Sequence, residues 1–111
     1  MANTLKNVVT NGVGTTEATL YTVPASTTTI LIGLTMANTL ANDQIDVSVS
    51  VTDTSGGTTA YVVKNATIAP GGALVPVGGE QKVILETGDV VKVQSSAATS
   101  LDVIASVVEQ S

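Results

Sequence analysis

Alternation of apolar and polar residues with a period of two is the feature that most constrains this fold. It is cleanest over 45–52, where Ile and Val at odd positions alternate with Asp, Ser and Thr at even positions. This pattern places every second side chain on one face of a β-strand. The composition also favours β-strands, because 42 of the 111 residues are Val, Thr or Ile and β-branched side chains favour strands over helices.

Runs of this kind predict eight or nine short strands. In the run 30–36, strict alternation puts Ile30, Ile32, Leu34 and Met36 on one face and Leu31, Gly33 and Thr35 on the other. No window of about ten residues keeps the apolar spacing of a helix. The other predicted strands are 19–23, 59–68, 73–77, 82–85, 90–94 and 101–108, with 5–9 as an edge strand.

Turn residues separate these runs. Residues 53–57, Asp-Thr-Ser-Gly-Gly, predict a hairpin connection, since Asp bonds its following backbone and Gly accepts positive φ. Residues 69–72, Ala-Pro-Gly-Gly, place Pro and Gly where a type II turn needs them. Short strands and turns at this spacing predict an all-β fold, an antiparallel β-sandwich with the jelly roll as one form, ahead of a closed barrel.

At this length we expect one domain, covering residues 15–111. Residues 1–14 are the part that a sandwich explains least. They form either an arm that reaches a neighbouring molecule or an edge strand, with a frayed terminus as the alternative.

Composition also removes most enzyme chemistry. The chain has no Cys and no His, so it cannot hold a Ser-His or Cys-His nucleophile or a thiolate metal site. The nearest carboxylate pairs, Asp43 with Asp46 and Glu86 with Asp89, lack the dense ligand spacing of a calcium loop. We therefore predict a non-enzymatic protein with no cofactor and no bound metal.

Charge argues against two classes of partner. The formal net charge is −5, and the four lysines are scattered along the chain. Nucleic acids and anionic membranes are bound by clustered Lys or Arg, so neither is expected as a partner. No apolar run approaches the roughly 18 residues of a membrane span. We expect synthesis in the cytosol.

Several segments, taken in order, resemble small virion structural proteins of tailed bacteriophages, and the resemblance covers about 15–108. It implies a non-enzymatic β-rich protein, made in the host cytoplasm and built into the virion as a capsid decoration (cement) protein. It also implies a symmetric homo-oligomer, with a trimer favoured, bound to the major capsid protein. A neck or tail component is the alternative. The segments are Leu20-Tyr-Thr-Val-Pro-Ala25, 30–38, Tyr61-Val-Val-Lys-Asn65, Ala69-Pro-Gly-Gly72 and 81–89.

Tyr21 and Tyr61 are the only aromatic residues. Exposed tyrosines anchor protein interfaces, whereas buried tyrosines bond their hydroxyl inside the core, and the sequence leaves both interpretations open. A glycan- or receptor-binding module is a weaker alternative, because sugar sites usually stack on exposed aromatic rings and the chain has no Trp.

Overall fold

The computed structural model describes residues 3–111, which form nine β-strands. The first two residues of the predicted N-terminal segment lie outside this range. The described residues form no helix that could cross a lipid bilayer. The strands are β1 (Asn3–Val13), β2 (Ala18–Thr22), β3 (Thr28–Asn38), β4 (Ile45–Asp53), β5 (Thr58–Ile68), β6 (Ala73–Val77), β7 (Val83–Leu85), β8 (Val90–Ser95) and β9 (Leu101–Gln110).

Two antiparallel sheets pack face to face. The first sheet has the order β1-β9-β3-β6, with β7 also paired to β3, and the second sheet has the order β2-β8-β4-β5. Leaving out the three-residue β7, the other eight strands wind between the sheets in the order of a jelly roll. The predicted all-β sandwich of eight or nine strands is thereby confirmed.

One predicted strand face was wrong. The pairing of β3 with β9 shifts register between Leu31 and Gly33, and such a bulge adds a residue that reverses the alternation beyond it. Leu31, Leu34 and Met36 therefore point into the core, where each is at most 1% exposed. Ile30 and Ile32 point outward instead. The inward positions predicted in β4 are confirmed for Ile45, Val47 and Val49, which are fully buried, while Ser48 and Ser50 between them are buried as well.

Aliphatic side chains fill the space between the sheets. Leu34, Val47, Val93 and Val103, from four different strands, are all at most 1% exposed. Each such side chain contributes about 1.5–3 kcal/mol to folding by leaving water. Tyr21 is the only aromatic ring among the buried residues described, so the core depends on close packing of Val, Leu and Ile.

Polar contacts close one end of the sandwich. Asn38 is 2% exposed, and its side-chain Nδ2 donates to the carbonyls of Asp43 and Ile68 at 2.9 and 3.0 Å. Its backbone N–H donates to the carbonyl of Gly72, which follows Gly71 in the predicted type II turn. Gly71 has a φ of 70°, as that turn requires.

Candidate functional site

The outer surface of the first sheet is unusually apolar. Among residues 3–111, six large hydrophobic side chains are exposed, and five of them lie on strands of this sheet. Single exposed apolar residues are common, but a contiguous group on one surface marks an interaction site. The five are Leu5 (79% exposed), Val9 (61%), Val75 (59%), Ile84 (63%) and Ile104 (53%).

Strand register joins most of these side chains into rows. Leu5 on β1 lies opposite Val108 on β9, Val108 opposite Ile30 on β3, and Ile30 opposite Ile84 on β7. Directly opposed residues share one face of a sheet, with Cβ atoms about 4.5–5.5 Å apart. A second row runs from Val9 to Ile104. We call Leu5, Val9, Ile30, Ile84, Ile104 and Val108 together the apolar face.

A shallow depression of about 350 Å³ lies between the two rows. Leu5, Lys6, Ile32 and Val107 line it together with the smaller side chains of Asn7 and Ser106. Ser106 is opposite Gly33 in the register of β9 and β3. The absence of a side chain at Gly33 and the short side chain of Ser106 leave this space between the larger aliphatic groups.

Most charged groups lie at the margin of the apolar face or point away from it, whereas Lys6 also lines the depression. Asp102, at the start of β9, accepts a hydrogen bond from the backbone N–H of Gly12 at 3.1 Å. Lys6 is opposite the buried Val107 and so points toward the inner side, where its Nζ lies 3.9 Å from Glu109. The two central rows consist of aliphatic side chains.

The outer surface of the second sheet is polar by contrast. On this polar face, Thr52 and Thr59 lie opposite each other with their hydroxyls hydrogen-bonded at 2.9 Å. Lys92 forms an ion pair with Glu17 at 3.8 Å. Ser48 and Gln94 border a small depression of about 160 Å³. This surface has the composition of one that stays in water.

Tyr21, a predicted contact residue, lies in the core and is 8% exposed. Its hydroxyl is 2.8 Å from Oγ1 of Thr29 and donates to the carboxylate of Glu109. Burial and the neighbouring Glu109 carboxylate raise the pKa of Tyr21 to about 12. Its ring has little surface left for a partner.

Tyr61, the other predicted contact residue, is 48% exposed. It lies opposite Ser50 on the polar face, and the Nζ of Lys64 stands 4.8 Å from the centre of its ring. That distance is within the range of a cation–π contact. The two tyrosines therefore differ in environment, since Tyr21 lies inside the sandwich and Tyr61 lies on its surface.

Three carboxylates, those of Asp53, Glu86 and Asp89, meet at the end of the sandwich opposite Asn38, with oxygen atoms within 4.8 Å of one another. Asp89 is 4% exposed, and its two oxygens accept N–H groups of Thr54 and Glu86. Asp53 accepts hydrogen bonds from Ser55 and Gly56 of its own turn. The carboxylates of Asp53 and Asp89 thereby stabilise the turns they belong to.

The sequence does not identify the apolar face. Strands of the first sheet contain consecutive apolar residues, as in 30–32, 103–104 and 107–108, and continuous apolar runs are typical of strands covered on both faces. Doublets also occur in the second sheet, at 62–63 and 90–91, so this local pattern does not distinguish the two outer surfaces.

No protein-family model matches the chain, and no curated protein matches it. Solved structures do match. One is from work on Bacillus endospore appendages, described as disulfide-linked pili, with a TM-score of 0.56, 13% identity, and coverage of 98% of this chain and 88% of that one. Another, from infectious bursal virus-derived T=1 particles, has a TM-score of 0.57, 9% identity, and coverage of 96% and 31%.

A chain of the infectious bursal disease virus Gx strain also matches, with a TM-score of 0.55, 11% identity, and coverage of 96% of this chain and 32% of that one. The present chain thus spans about a third of the length of these viral chains. At such identities the likeness is one of fold. The structural neighbours are proteins of virus particles and of a pilus, and assignment to tailed bacteriophages stays a prediction.

Proposed function

We propose that this protein is a non-enzymatic structural component of a virus particle, which acts as a symmetric homo-oligomer. The observation that carries the proposal is the apolar face, a surface of six aliphatic side chains on one side of a jelly roll. A surface of this kind is normally covered in the working state of a protein. Its fold neighbours in virus particles support the same conclusion.

Within the particle, the role that fits best is a capsid decoration protein. It would be bound to the major capsid protein, and a trimer is the expected state. The jelly roll is rigid and its charged groups are few, so it would act by shape and apolar contact. A neck or tail position is the alternative, and it differs in the number of copies.

Copy number tests this proposal. Particles from a culture that expresses the chain from its native genome would be purified, and the chain counted by quantitative mass spectrometry. Hundreds of copies per particle support decoration of the shell, while a few to about a dozen support the neck or tail, where ring symmetry sets the number. Particles that contain no copies would overturn the proposal.

A filament subunit is a second candidate, since 88% of the endospore appendage chain is covered by the match. That pilus is described as disulfide-linked, and this chain has no Cys, so a filament of it would be held by non-covalent contacts. Electron microscopy of the concentrated protein distinguishes the two, because a filament grows without limit and a closed oligomer does not.

Glycan binding is supported least. Of the two rings that could stack on a sugar, Tyr21 is buried and Tyr61 is already covered on one side by Lys64. Glycan-array binding that Tyr61→Ala abolishes would revive this alternative.

A further inference from the structure

We propose that the apolar face is the surface by which the chain binds a second copy of itself, with the same face of each copy turned toward the other. This inference rests on the homo-oligomer of the proposed function and names its contact surface, but it gives a pair of copies in place of the expected trimer, because a contact of one face with itself closes at two copies. Three observations carry it, namely the area of the face, its lack of charge and its shape.

The area is sufficient for a stable contact. The outer surface of the first sheet, with the apolar face at its centre and Asp102 and Gln110 at its ends, is four strands wide at about 4.8 Å per strand. Over residues 102–110 it is about 30 Å long at about 3.4 Å per residue, which gives about 570 Å². Two copies that cover this whole surface would bury about 1,100 Å² in total. Specific interfaces generally need about 1,000 Å² or more, so the contact includes the polar ends of the sheet as a rim around the apolar face.

The distribution of charge also favours the apolar face as the contact surface between copies. Each copy carries a net charge of −5, so two copies repel each other unless they meet where charge is absent. The polar face carries Lys92, Glu17 and Asp46, and a contact there would desolvate them. The rows of the apolar face hold no charged side chain, and Asp102 stands at the margin. Cores of stable interfaces are depleted of charge in the same way.

Shape favours a copy of the chain over a different partner. Two twisted sheets pack face to face about 10 Å apart with their aliphatic side chains interdigitated, as the two sheets of this sandwich already do. A symmetric contact needs a surface with both projections and a hollow. The apolar face has both, since Ile104 and Leu5 project and the depression beside Ser106 can receive an aliphatic side chain.

The test compares matched substitutions on the two outer faces. Ile104→Lys places a charge in the apolar face, and Tyr61→Lys places the same charge on the polar face at a residue of similar exposure, 53% against 48%. Leu5→Lys is a second disrupting variant at a position 79% exposed, where loss of core packing cannot be the cause. Circular dichroism and thermal melting confirm the fold of each variant.

Size-exclusion chromatography with light scattering, over a range of concentrations, gives the mass. The wild type and Tyr61→Lys are expected to form the same complex of two copies, and a wild-type complex of three copies would contradict the face-to-face contact. Ile104→Lys and Leu5→Lys are expected to raise its dissociation constant by at least about tenfold. A wild-type oligomer that both lysine variants leave unchanged would overturn this inference while leaving the homo-oligomer intact. A wild type that stays monomeric would overturn both, and would leave the apolar face to a different protein.

Discussion

The outer surfaces of the two sheets of this sandwich are opposite in polarity. β4, in the second sheet, turns Asp, Ser and Thr side chains outward, and its neighbours add the Thr52–Thr59 hydroxyl pair and the Lys92–Glu17 ion pair. β3, in the first sheet, turns Ile30 and Ile32 outward. Both sheets cover the same core, so the difference is not needed for folding. The polar face suits contact with water, and the apolar face is the surface proposed above to be covered by a second copy.

The largest expected effect comes from comparing a core side chain with a side chain of the apolar face on the same strand, β3. Leu34→Ala is expected to lower the free energy of unfolding by about 2–5 kcal/mol, because Leu34 is 1% exposed and its removal leaves a cavity. Ile30→Ala is expected to cost about 1 kcal/mol in dilute monomer, since Ile30 is partly in water. Urea denaturation at low protein concentration measures both. Equal losses would break the comparison, because the apolar face would then belong to the folding core.

A pH series tests the link between the two sheets. Tyr21 of β2 is bonded to Thr29 of β3 and Glu109 of β9, and its pKa is raised from 10.0 to about 12. The folded state thus holds the phenolic proton more tightly than the unfolded state. Stability from this group is fully present below about pH 10 and is lost between pH 10 and 12, by up to about 3 kcal/mol.

Urea midpoints of the wild type and Tyr21→Phe at pH 8 and pH 11 isolate this effect, because every other ionisable side chain is common to the two proteins. The wild type is expected to lose more stability than Tyr21→Phe at the higher pH. An equal loss would show that Tyr21 does not carry the pH dependence.

Two buried serines of the second sheet test whether buried hydroxyls without a hydrogen-bond partner lower stability. The Oγ of Ser50 is buried without a hydrogen-bond partner among the described residues, and an unsatisfied polar atom lowers stability. Ser50→Ala is therefore expected to leave stability unchanged or raise it by about 1 kcal/mol. The control is Ser95→Ala, which removes a 2.6 Å contact with Ser100 and is expected to cost about 1 kcal/mol. If thermal melting shows the opposite order, Ser50 has a partner that this account lacks.

The smallest effect concerns the exposed ring of the polar face. Lys64→Met keeps the length of the side chain and removes its charge above Tyr61, and it is expected to cost about 0.5 kcal/mol. In the Tyr61→Leu background the same change is expected to have no effect. Chemical denaturation of the four proteins gives the coupling, and a coupling of zero would show that the contact does not stabilise Tyr61.

Sequence patterns predicted the sandwich because strand alternation and turn residues are local signals. β4 and the turn at 69–72 follow from spacing alone. The face of Ile30 and Ile32 could not be predicted, because a bulge at Gly33 depends on pairing with β9, which is some 70 residues away in the chain.

The candidate site was harder to predict than the fold. From the sequence, Tyr21 and Tyr61 are each either an interface contact or a buried ring, and only the tertiary structure distinguishes the two. The apolar face requires knowledge of which strands are neighbours, since Leu5, Val108, Ile30 and Ile84 come from four separated segments. Local pattern contains no information on that order.

The most direct test of burial of the apolar face uses the absence of natural cysteines. Ile104→Cys and Tyr61→Cys each introduce one thiol, on the apolar face and the polar face, and its rate of reaction with a maleimide reports exposure. As protein concentration rises and copies associate, the thiol at position 104 is expected to react at least about tenfold more slowly, while the thiol at position 61 keeps its rate. Equal rates at both positions at every concentration would contradict the account.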